Sequence, residues 1–229
     1  MPSPLQTPAS FGRGALHARW GFPAGVGVLV GCAYFFGAWV GVHGTVMPEG
    51  IALLWPPNAL LLAALLVLDR HRWWPCFPAV ALAEVLADHG TFSLGESLAF
   101  ALINIGEAVV VASLLRRAVT GPFDFARFHH VLAFGAIGLV LMPAIAAVFG
   151  ATVYTLSRGE QTSFLTFWRV WWFGDALGLL ILTPAAWSLA DRWKRRGEPL
   201  DMGRKLKGLA MIAATAIAGH WAFSFDPQD

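Results

Sequence analysis

Polar side chains with the means to do chemistry stand inside long apolar stretches of this chain: Asn58, Glu84, Asn104, Glu107, Arg169 and Asp175, with Asp88 one turn beyond Glu84. A charge at the centre of a membrane-spanning helix costs roughly 2.5–3.5 kcal/mol on insertion scales, so it is there for a partner or a task. Carboxyls and amides at such depth can hold a ligand, exchange protons with the outside, or tie helices together. In the run Trp168-Arg-Val-Trp-Trp-Phe-Gly-Asp175, Asp175 shares a helical face with Trp168, Trp171 and Trp172, through steps of three and four. Arg169 is set off from that stripe by about 100°. Six residues from Asp175, it cannot pair with it along one helix, and the expected partner is Glu84 or Glu107. Glu84 and Asp88 are four apart, Asn104 and Glu107 three apart, and Asn58 lies one turn into its segment. Trp55, Asn58, Glu84, Asn104, Glu107, Arg169, Trp171, Trp172 and Asp175 are thus the candidate site, a polar pocket open to the outer face. If structural, its bonds average only about 0.6 kcal/mol each in membranes. Three acids against one arginine is more than tying helices together requires, which favours a sensing or binding role. A sugar-like or anionic solute drawn to Arg169 is the expected ligand. Trp168 reads as an interfacial anchor, and Trp171 and Trp172 as cavity lining.

The elements that must position these residues are membrane helices. Of the 229 residues 57% are hydrophobic and 13% charged, with mean hydropathy +0.60. Soluble domains carry about 25% charged residues. A spanning helix needs about 20 mostly apolar residues, and seven segments qualify: 22–46, 51–68, 74–90, 96–115, 131–156, 164–190 and 208–225. Arg13, Arg19, Arg70, Arg72, Arg116, Arg117, Arg127 and the basic stretch from Arg192 to Lys207 all fall on one side. Cytoplasmic loops carry the excess of Lys and Arg, so the N-terminus is expected in the cytoplasm.

The expected fold is an all-α integral membrane bundle of seven transmembrane helices. Residues 1–21 form a cytoplasmic tail, 22–225 the transmembrane domain and 226–229 a cut end, with an eighth span truncated. Trp55-Pro-Pro-Asn58-Ala-Leu and Trp172-Phe-Gly-Asp175-Ala-Leu open two segments in the same direction. They suggest a four-plus-four internal repeat, against chance similarity of two Leu-rich helices. Gly27 and Gly31, Gly37 and Gly41, and Gly174 and Gly178 are spaced for close helix approach, within the chain rather than between copies. Pro143 should kink its helix and free the carbonyl of Leu139.

Several function classes are excluded. No nucleophile elbow, metal-ligand helix or phosphate loop is present, so the chain does not read as an enzyme. No lysine lies mid-way along the last apolar segment, as a retinal protein requires. No basic patch tracks nucleic acid. Cys32 and Cys76 read as small buried hydrophobes. No histidine spacing supports a haem, and His17, His71, His129 and His130 read as solvated cytoplasmic side chains. No metal or cofactor is expected. The expected partners are the lipid bilayer, a second copy through the full-length protein, and a small-molecule ligand or partner membrane protein.

At Leu54-Trp55-Pro-Pro-Asn58-Ala-Leu, Asn104-Ile-Gly-Glu107 and Trp171-Trp-Phe-Gly-Asp175-Ala-Leu-Gly178, followed by Thr183-Pro184, the chain resembles the first membrane-associated sensor domain family of bacteria, over residues 25–223. The resemblance implies a sensory region of a plasma-membrane signalling protein, joined to a histidine kinase, diguanylate cyclase or phosphodiesterase output. It marks Trp55, Pro56, Asn104, Glu107, Trp172, Asp175 and Gly178 as characteristic positions. A small-solute transporter is the alternative, which the intramembrane carboxyls and the Pro143 kink would suit.

Overall fold

The computed structural model describes residues 14–45, 54–158 and 163–194. All regular structure among them is helical. In chain order come α1 (Gly14–Thr45), α2 (Pro56–Val67), a short 3₁₀ turn (Arg70–Arg72), α3 (Cys76–Ala87), α4 (Leu94–Ala118), α5 (Phe128–Ala133), a π-helical stretch (Phe134–Leu141), α6 (Met142–Arg158) and α7 (Phe164–Lys194). Among the described residues four helical stretches are long and apolar enough to cross a membrane: Ala24–Val42, Leu94–Ala118, Phe128–Arg158 and Phe164–Trp193. The expected segment 208–225 lies outside the described residues.

The second and third expected spans form shorter helices than the apolar pattern suggested. α2 and α3 have twelve residues each, or about 18 Å of helix, against a hydrocarbon core about 30 Å thick. Pro56 and Pro57 start α2, where a missing N–H costs nothing. The turn after Leu68 ends it. α3 begins after Pro75 and stops at Asp88. Gly90, at φ +88°, makes the turn to α4. There Ser93 and Glu96 form a reciprocal cap: Ser93 N–H donates to Glu96 Oε2 at 2.8 Å, and Glu96 N–H to Ser93 Oγ at 3.3 Å.

α2 is the centre of the bundle. It packs on α1, α4 and α7, while α3 fills the space between α1 and α4, and α6 closes against α4 and α7. Its leucines Leu61, Leu62 and Leu65 are completely buried, as expected of a helix apolar all round. Glycines make the close approaches. A Cβ at Gly27 would meet the carbonyl of Pro75, and one at Gly31 the Cβ of Ala79, so this pair seats α3. Gly37 and Gly41 seat the start of α2. A Cβ at Gly178 would collide with the backbone of Trp55. These small residues are spent on packing within the chain.

At the end where α2 stops, the connection between α4 and α5 folds over the core. Phe123 is buried there, edge-on to Phe125 and Trp187. His130 is also fully buried, its Nδ1 accepting from Asp124 N–H at 3.0 Å, in contrast to the solvated position expected for it. Cys76 is buried as expected, whereas Cys32 is exposed.

Candidate functional site

The polar residues that sequence spacing singled out on separate segments meet around one amide. Asn58, on the first turn of α2, is 1% exposed. Its Nδ2 lies 3.2 Å from Asn104 Oδ1, 3.3 Å from Glu107 Oε2 and 3.1 Å from Asp175 Oδ2. Three acceptors thus converge on a group with two hydrogens. Asn104 Nδ2 donates to Glu84 Oε1 at 2.9 Å and to the Tyr34 hydroxyl at 3.2 Å. Tyr34 in turn donates to Asn58 Oδ1 at 3.5 Å. One network therefore joins α1, α2, α3, α4 and α7.

Local sequence explains each placement. The Pro56-Pro57 pair starts α2 just before Asn58, which places the amide one turn from the helix end. The three-residue step from Asn104 to Glu107 puts both on the inner face of α4. Asp175 follows Gly174, whose carbonyl accepts the Trp55 N–H at 3.0 Å. The two similar motifs, Trp55–Leu60 and Trp172–Leu177, therefore lie side by side, with Gly178 admitting the Trp55 backbone.

Beside this network is a cavity of about 70 Å³. Glu84, Asp88, Asn104 and Asp175 supply its polar wall. Val42, Trp55, Phe92, Phe100, Phe167 and Trp171 supply the rest. The Trp171 ring meets Phe100 edge-on at 5.2 Å and sits against Gly150 of α6, where a Cβ would clash with it. Glu84, Asp88, Glu107 and Asp175 are each at most 4% exposed. Each keeps one carboxyl oxygen without a hydrogen-bond partner among the described residues. No group of His, Cys, Asp or Glu there is placed to hold a metal ion.

Two expectations need correction. Arg169 pairs with neither Glu84 nor Glu107: it is exposed on the flank of α7, and the ion pair formed among the described residues is Arg158–Glu96 at 3.5 Å. The amides Asn104 and Asn58 take the place given to the arginine. Trp172 does not line the cavity either. Its Nε1 donates to the Leu139 carbonyl at 3.2 Å, the carbonyl that Pro143 leaves without its helical donor. Trp168 Nε1 donates to the Ala144 carbonyl of α6 at 2.9 Å. The break at Pro143 takes the form of a π-helical stretch immediately before it.

Residues the spacing did not flag complete the site. Tyr34 is fully buried at the network's edge. Phe92, Phe100 and Phe167 line the cavity. An aromatic inside an apolar run carries no signal that separates a cavity wall from ordinary core, although Tyr34 was the one hydroxyl-bearing ring in the first segment.

The MASE1 family model matches residues 22–224. The chain belongs to the MASE1 family of membrane-associated sensor domains. No curated protein and no solved structure matched it.

Proposed function

We propose that this chain is the sensory input domain of a bacterial signal-transduction protein in the plasma membrane. It detects an external or membrane-proximal signal at the Asn58 network and passes it to a cytoplasmic output module, a histidine kinase or an enzyme of cyclic di-GMP turnover. The supporting observation is the network itself: five helices share one set of hydrogen bonds, and its carboxyls retain unused oxygens beside a cavity. A structural tie would leave few buried acceptors unpaired, since each costs about 1–3 kcal/mol. Occupying or emptying the site changes the bonding of all five helices at once. A signal moves the bundle only if it favours one packing over the other.

The positive-inside asymmetry supports an orientation with the cavity towards the outer face, and the loops at Arg70, Arg116 and the end of α7 towards the cytoplasm. A transporter remains the second reading, favoured by the π-helical break beside Pro143. Glu107→Gln and Asp175→Asn in the full-length protein separate sensing from structure. Sensing requires that both abolish the stimulus-dependent output while expression and membrane insertion persist. Unchanged signalling in both would make the network a scaffold. Solute uptake without any output response would favour transport.

A further inference from the structure

We infer that the cavity binds the head group of a small primary ammonium ion; this deepens the sensory reading above and rests on it. The charge of the wall comes first. Glu84, Asp88 and Asp175 line the cavity and are almost completely buried. Arg169 is exposed on α7, and Arg158 is engaged with Glu96 and with the Thr91 carbonyl at 2.8 Å. An anionic solute would therefore meet carboxyls with no facing cation among the lining residues. That reverses the solute class expected from Arg169.

Hydrogen-bond demand points the same way. Glu84 Oε2, Asp88 Oδ2 and Asp175 Oδ1 are acceptors without donors, while Trp171 Nε1 is the one orphaned donor on the described wall. A sugar hydroxyl both donates and accepts and brings no charge. An –NH₃⁺ group brings three donors, no acceptor, and a positive charge. The remaining wall suits the same ion, since Trp55, Phe100 and Trp171 present aromatic rings to which a cation is attracted. A divalent metal is a poorer match. Calcium takes six to eight oxygens, and the described acids do not converge as a metal site. The cavity, at about 70 Å³, exceeds the ~10–15 Å³ that one water needs. It accommodates a head group of a few heavy atoms.

The test uses the full-length protein in lipid nanodiscs at neutral pH. Thermal unfolding is followed while ethylammonium chloride is titrated at constant ionic strength, with sodium chloride, sodium acetate and glucose as controls. A saturable rise in Tm with ethylammonium alone is the expected result. Asp88→Asn and, separately, Trp171→Leu should each weaken the apparent affinity by about tenfold, through loss of the charge and of the ring face. Calorimetric titration of the wild-type protein gives a direct reading even if a variant fails to fold. A flat ethylammonium titration in both measurements overturns the assignment and leaves the proton as the occupant of the acids. An equal response to acetate or glucose overturns it too. Binding without any change in output would leave the ligand class standing and remove the sensory reading. Output that responds to another stimulus, with no ethylammonium binding, would do the reverse.

Discussion

At one end of the bundle Arg116, and at the other Asp175, each carry an ionisable group in among apolar helices, and the fold answers them differently. Arg116 reaches across from α4 to the end of α2. Its Nη2 donates to the carbonyls of Leu65 at 2.7 Å and Leu66 at 3.1 Å, and its guanidinium lies 5.2 Å from the centre of the Trp73 ring. These are carbonyls that a helix end always leaves without partners, and cations are favoured at that end. Trp73 completes the arrangement through its own bond to Leu65. Asp175 is answered by side chains instead: it shares Asn58 with two other acceptors, and its Oδ1, like Arg116 Nε, is left without a partner. A charge that holds a fold together has its bonds supplied by backbone that needs them. On the sensory reading proposed above, Asp175 is instead surrounded by groups competing for the same donor.

The comparison can be broken where the two ends depend on different contacts. The largest effect is expected from Gly178→Val, which forces a branched side chain into the Trp55 backbone and separates α2 from α7. Overpacking of this kind costs about 3 kcal/mol, and thermal unfolding in nanodiscs should show it together with loss of any response. Next comes Arg116→Met, which keeps the volume but strips the Leu66 carbonyl of its donor and leaves the Leu65 carbonyl to Trp73 alone. A loss of about 2 kcal/mol is expected with the stimulus response intact. If output were silenced at full stability instead, the division between the two ends would fail. The smallest effect belongs to Trp172→Phe, which removes one bond to the Leu139 carbonyl, worth about 0.6 kcal/mol in a membrane. It should leave ligand affinity unchanged, because Trp172 is bonded to the π-helical stretch and does not line the cavity.

Much of this arrangement is legible in the sequence. Asn58, Glu84, Asn104, Glu107 and Asp175 stood out because a polar side chain in an apolar run must find a partner, and the partners turned out to be one another. Pro143 identified the carbonyl that would need a donor, though not that Trp172 would supply it. Arg169 was misplaced for a physical reason. A helical wheel fixes angles between residues but not which side faces the bundle, and the long arginine side chain can run outward along the helix. The late starts of α2 and α3 are hidden because Ile51–Trp55 and Trp73–Trp74 are as apolar as the helices they precede, whereas Asp69 and Asp88 mark the other ends plainly. The burial of His130 depends on a loop fold that no periodicity encodes.

The glycines of α1 carry one more consequence, for lateral association in the membrane plane. Gly27, Gly31, Gly37 and Gly41 are already covered by α3 and by the start of α2. The outward surface of the same helix carries small residues at Gly25 and Cys32, while Val28, Leu29, Phe35, Phe36 and Trp39 make up its bulk. A neighbouring helix arriving from the lipid along Val28–Trp39 therefore meets mostly large side chains, which hold the two axes further apart than a glycine seam would. Any assembly through α1 must be built on interlocking rings at wider separation, with acyl chains competing for the same surface.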